Sequence, residues 1–123
     1  MRILVYGAGV LGCNLARNLF RAGKNVTLLA RGTWAEQLRA NGLRIKDTFS
    51  PRMSVSRIPV VTALKPEDPY DVIFAAVRYT QIASVMDTLR ASRAKTIIFV
   101  GNNVRAAETA ALLPFFYTFT LSF

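Results

Sequence analysis

No histidine occurs in the 123 residues, and cysteine occurs once, at Cys13. Without histidine the commonest general base and metal ligand is missing. Together the two absences exclude a Ser-His-Asp triad, a zinc cluster and a disulfide framework within the chain, so no metal site is expected. Acids are also scarce, with seven Asp and Glu against sixteen Lys and Arg, a net charge of +9. No apolar run approaches the length of a membrane-spanning helix. Residues 3–6 are a short apolar run that stops at Gly7, which is not the layout of a signal peptide. The expectation is a soluble cytoplasmic protein with no membrane partner.

What is present points to one packed domain. Hydrophobic residues make up 52% of the chain and charged residues 19%, too apolar a balance for a disordered segment. The length suits a single core that needs no staples. The positive charge is concentrated. Residues 1–60 hold ten Lys and Arg against two acids, whereas residues 61–123 hold six against five. Such a field suits a phosphorylated small ligand, a nucleic acid or a membrane surface.

The apolar pattern alternates between strand-like and helix-like stretches. Ile3 to Tyr6, Val26 to Ala30, Asp71 to Val77 and Thr96 to Val100 read as buried strands. Residues 10–22 read as a helix with Asn14, Arg17, Asn18 and Arg21 outward, Leu11, Leu15, Ala16, Leu19 and Phe20 inward, and Gly23 as the stop. Thr33, with Glu36 three residues on, predicts a capping box opening a helix to about Ala40, ended by Asn41-Gly42. Residues 43–61, broken by Pro51 and Pro59, read as short strands or an irregular crossover, and residues 65–69 as a loop. Residues 79–91 read as a helix buried through Ile82, Val85, Met86 and Leu89, and residues 104–112 as a last helix. This βαβα order predicts a parallel, doubly wound α/β sheet. From Phe115 to Phe123 apolar residues alternate with Thr and Ser. That predicts one more edge strand or, on a second reading, a truncated or non-native end.

Gly7-Ala8-Gly9-Val10-Leu11-Gly12 spells G-x-G-x-x-G directly after a buried strand and at the opening of an amphipathic helix. In that setting Gly7 permits the tight turn, Gly9 lets backbone approach a pyrophosphate, and Gly12 lets helix and strand pack closely. Ala8, Val10 and Leu11 complete the cofactor loop, and the helix N-terminus offers N–H groups and a positive dipole end. An NAD site places an acid near the end of the second strand. This chain has Ala30-Arg31-Gly32 there, with Arg31 19 residues after Gly12. An Arg suits a ribose 2′-phosphate by charge and by its planar donor fork, so NADPH is expected over NADH.

With these residues in view, the chain resembles the ketopantoate reductases (2-dehydropantoate 2-reductases). The resemblance rests on ILVYGAGVLG, LLAR, YDVIFAAVRYTQ and IFVGNNVRAAE, in that order, over residues 1 to about 112. It implies an NADP-binding Rossmann-type domain over residues 1–113, with residues 114–123 as an apolar tail. The family reduces 2-dehydropantoate to pantoate with NADPH, on the way to coenzyme A. The resemblance implies that Gly7, Gly9 and Gly12 bind pyrophosphate and Arg31 the 2′-phosphate, with Gln81 near the cofactor. It puts Arg78 where the family commonly has a Lys, a change in reach and geometry. Asn102 aligns with the family Asn beside the nicotinamide and substrate, and Asn103 replaces a Gly. Family members carry a second, mainly helical domain with the catalytic Lys, and the chain is expected to stop before it and not to turn over substrate alone.

Cys13 follows Gly12 and is expected to pack rather than react. Trp34 is a candidate adenine platform or a packing residue. Arg44, Lys46, Arg52 and Arg57 lack interleaved aromatics, so no nucleic-acid partner is expected. Besides a reductase half binding a 2-oxo acid, the alternatives are the cofactor domain of another two-domain NADP-dependent dehydrogenase and a stand-alone nucleotide-binding regulatory module. An exposed domain face and the apolar tail leave a homo-oligomer open.

Overall fold

The computed structural model describes residues 1–46, 53–78 and 81–100, and the backbone of Phe116–Phe119. Eleven elements follow in chain order among the described residues: β1 (Arg2–Tyr6), α1 (Val10–Arg21), β2 (Asn25–Leu29), α2 (Gly32–Asn41), β3 (Leu43–Lys46), β4 (Met53–Ser56), β5 (Val60–Val61), β6 (Val72–Ala75), α3 (Ile82–Ala91), β7 (Thr96–Val100) and β8 (Phe116–Phe119). Six strands form one parallel sheet in the order β5-β2-β1-β6-β7-β8. The strand order reverses between β1 and β6, where open α/β sheets bind their ligands. The Rossmann-type α/β fold expected from the sequence is therefore present. The predicted helix 104–112 lies outside the described residues.

The continuous apolar runs have a simple cause. Successive strand residues point to opposite faces, and here both faces are covered. Ile3 and Val5 join Val26, Leu28, Cys13, Ala16, Ala35 and Leu38 under α1 and α2. Leu4 and Tyr6 join Leu29, Ile73, Ala75 and the α3 residues Ile82, Val85, Met86 and Leu89 on the other side. The four α3 residues are the face the spacing predicts, and all four are buried. Leu4 and Ile73 are fully buried. Truncating either to Ala would cost roughly 2–5 kcal/mol, the usual range for emptying a packed core position.

Two details differ from the sequence reading. The inward stripe of α1 is Gly12, Cys13 and Ala16, while Leu15 and Leu19 only flank the core and Phe20 is exposed. Small residues let the helix sit close to the sheet, which rotates the larger ones to its sides. Thr33 does not cap α2. Arg31 stands at the N-cap with extended backbone, Gly32 begins the helix, and no side chain caps it. The glycine allows the chain to turn into the helix at φ +60, a conformation that Thr33 would resist one position later. Residues 43–61 hold short strands, the first of the two alternatives read from the sequence: β3 pairs antiparallel with β4 in a two-stranded sheet of its own. The chain then returns to the main sheet through β5, with Leu28 N–H donating to the Pro59 carbonyl.

Elsewhere the punctuation acts as read. Gly23 (φ +78) follows α1 and Gly42 (φ +74) caps α2. Phe116–Phe119 lies parallel to β7 at the sheet edge. Among the described residues no helix is long and apolar enough to cross a membrane.

Candidate functional site

The sheet register brings Tyr6, Leu29 and Ala75 into line, so β1, β2 and β6 end together. The glycine turn grows from that edge. Gly7 has φ +117, and its N–H reaches the Leu29 carbonyl at 3.3 Å. A Cβ on Gly7 would overlap the Ala76 carbonyl oxygen. A Cβ on Gly12 would overlap the Gly7 carbonyl oxygen and press on the Ala76 Cβ at 3.2 Å. These two glycines are demanded by the protein itself. Gly9 is not, because a Cβ there meets nothing within 4 Å. Its lack of a side chain leaves open space in front of the turn, which is what an approaching phosphate group requires.

Gly9 is the N-cap of α1, with no side-chain cap and no acid in the first turn. The amides of Gly9, Val10 and Leu11 meet no protein acceptor among the described residues. The carbonyl of Ala8, by contrast, is held twice: Trp34 Nε1–H donates to it at 2.8 Å and the Cys13 thiol at 3.3 Å. The loop thus spends its carbonyl on the protein and leaves its donors and the positive end of the helix for an anion. Cys13 is buried, and burial pushes its thiol above its usual pKa, so it packs as expected.

Arg31 follows the end of β2. Its Nη2 donates to the Tyr6 hydroxyl at 2.9 Å. Across the sheet reversal, the turn after β6 carries Arg78 and Gln81. Gln81 N–H donates to the Arg78 carbonyl at 2.8 Å, Arg78 N–H to Gln81 Oε1 at 3.3 Å, and Ser84 Oγ–H to the Gln81 carbonyl at 2.7 Å.

One cavity of about 380 Å³ joins these pieces. Gly7, Ala8, Gly9, Arg31, Arg78 and Gln81 line it, as does Trp34, which is 42% exposed. Val10, Leu11 and Gly12 are not in its lining: Val10 is on the surface and Gly12 is buried beneath the turn. Asn102 lies outside the described residues. Among the described residues the lining has two guanidinium groups and no Asp, Glu, His or Lys, a charge balance that suits an anion. The residues fit a dinucleotide phosphate: a bare glycine turn, an uncapped helix start, and an Arg where a ribose 2′-hydroxyl site would have an acid.

The sequence reading did not assign Tyr6, Ala76 or Ser84 to the site. Tyr6 carried a usable signal. It ends the apolar run that starts at Ile3, and a buried Tyr hydroxyl normally has a partner. Ala76 carried none, because only the sheet register puts it beneath Gly7 and Gly12.

Residues 3–113 match the family of ketopantoate reductase PanE/ApbA. The chain belongs to this family. A 2-dehydropantoate 2-reductase from Mesorhizobium japonicum is 32% identical over 92 residues, which are 72% of this chain and 27% of that protein. A ketopantoate reductase of the PanE/ApbA family from Ralstonia eutropha JMP134 has the same fold (TM-score 0.83, 24% identity), with 98% of this chain covering 40% of that one. So does D-mandelate dehydrogenase, solved with NADH and anilino(oxo)acetate (TM-score 0.82, 19% identity), over 98% of this chain and 40% of that one. The chain therefore spans well under half the length of these ketopantoate reductase relatives.

Proposed function

We propose that residues 1–113 form the NADPH-binding domain of an oxidoreductase that reduces 2-dehydropantoate or a related 2-oxo acid. One observation carries this reading. A glycine turn whose amides have no acceptor among the described residues and an Arg guanidinium share one cavity at the strand-order reversal, in a chain of the ketopantoate reductase family. When bound, NADPH supplies the hydride.

The chain's own residues bind and orient. The amides at the start of α1 and the space over Gly9 accept the pyrophosphate, while Gly7 and Gly12 keep the turn tight enough to present it. Arg31 holds the 2′-phosphate through charge-assisted hydrogen bonds. Trp34 forms the wall beside Arg31, where an adenine has a flat face to lie on. Gln81 secures the turn that carries Arg78, and Arg78 offers a cation to the substrate carboxylate. Asn102 takes the place beside the nicotinamide that the family resemblance implies. Reducing a ketone also needs a proton donor for the developing alkoxide. No Lys, His or acid lines the described cavity.

The test is a binding titration of Arg31→Ala. NADPH affinity should fall about thirtyfold, as expected on losing charged hydrogen bonds to a phosphate, with NADH affinity held within about twofold. Equal losses for both cofactors would overturn the 2′-phosphate assignment.

A further inference from the structure

We propose that Tyr6 is a positioning residue that sets the cofactor preference of this site, by holding Arg31 on a neutral anchor. The inference rests on the NADPH reading above. Tyr6 is the last residue of β1 and only 4% exposed. Its ring belongs to the core layer with Leu4, Leu29, Ile73 and Ala75, so its hydroxyl is a fixed point at the cavity wall. Arg31, at the exposed N-cap of α2, reaches that hydroxyl with Nη2 at 2.9 Å.

Two physical consequences follow. A long, free Arg side chain loses rotamer entropy when it closes on an anion, and a tether already formed in the fold removes part of that cost. The chemistry of the tether matters as well. A carboxylate would hold the guanidinium more firmly but would cancel the charge that a phosphate recognises. A phenol accepts one hydrogen bond and leaves the charge intact. Among the described residues Arg31 has no carboxylate partner, so the remaining N–H donors of its fork are available. Tyr6 and Arg31 are 25 residues apart and meet only because β1 and β2 pair with Tyr6 opposite Leu29.

The experiment is a double-mutant cycle on the full 123-residue chain. NADPH and NADH affinities are measured calorimetrically for the parent, Tyr6→Phe, Arg31→Ala and the double variant. Phe keeps the packed ring, so Tyr6→Phe retains the fold, and its thermal unfolding is recorded alongside. The expected result is about a tenfold loss of NADPH affinity in Tyr6→Phe with NADH within about twofold, the size of one hydrogen bond to a charged group. In the Arg31→Ala background, Tyr6→Phe should cost nothing further. Unchanged NADPH affinity, equal losses for both cofactors, or a full additional loss on top of Arg31→Ala would each overturn the role of Tyr6. Should Arg31→Ala itself weaken both cofactors equally, the 2′-phosphate reading fails and takes this inference with it. Discrimination lost in Arg31→Ala but kept in Tyr6→Phe would remove Tyr6 alone.

Discussion

Two turns face each other across the strand-order reversal, and they are built in opposite ways. The turn from β1 into α1 is closed on its carbonyl side, through Ala8 with Trp34 and Cys13, and open on its amide side. In the turn from β6 into α3 the Arg78 backbone carbonyl and N–H pair with the backbone N–H and side-chain oxygen of Gln81, and Ser84 adds a third bond. Both line the same cavity. Among the described residues, the first leaves amides without an acceptor, and the second pairs the backbone of Arg78 with Gln81. Ligand affinity should therefore depend mainly on the α1 turn, whereas changes in the α3 turn should register first as stability.

The largest effect is expected at Gly12. Gly12→Ala would drive a methyl group into the Gly7 carbonyl. The closest obstacle is backbone, so α1 must shift, at a cost of about 3 kcal/mol or more, and NADPH binding should go with it. Chemical denaturation and a binding titration on one sample would show both losses. Gly9→Ala separates the two properties. Its backbone is extended and its Cβ would meet only open space, so stability should stay within about 0.5 kcal/mol of the parent. NADPH affinity should nonetheless fall about tenfold or more, because the methyl group occupies the space that the phosphate needs. A stable Gly9→Ala variant that binds as well as the parent would break the contrast between the turns.

The smallest effect is expected in the second turn. Gln81→Ala removes the side-chain acceptor for Arg78 N–H, an exposed hydrogen bond worth about 0.5–1.5 kcal/mol. Unfolding should register that loss, and NADPH affinity should drop less than in Gly9→Ala. A larger effect on binding than on stability would show that the α3 turn also grips the cofactor directly.

The contrast also shows how far sequence reasoning reaches. Ile82, Val85, Met86 and Leu89 declare their helix face because helical period and burial coincide in one segment. The same holds for the apolar runs that became β1, β2 and β7, and for the glycine turn, whose spacing and setting point to a phosphate. The place of Arg31 after the second strand was readable because the apolar run that forms that strand ends at it. Contacts between distant segments were not readable. The bonds Arg31 to Tyr6 and Trp34 to Ala8 each join residues about 25 apart, and no local period encodes them. The α1 stripe was misplaced for a related reason: an amphipathic wheel ranks residues by hydrophobicity, whereas close packing on a sheet selects small ones. Thr33 looked like a cap because capping boxes are local patterns, but the chain turned two residues earlier, at Arg31 and Gly32.

The central claim is that the open α1 turn and Arg31 together make a site for a 2′-phosphorylated dinucleotide. The most direct measurement is a titration of the unmodified 123-residue chain with NADPH and with NADH under identical salt. The chain's one tryptophan, Trp34, lies in the cavity lining and reports binding through its own fluorescence. NADPH should bind more tightly than NADH by about tenfold or more. Equal affinity for the two, or no binding of either, would contradict it.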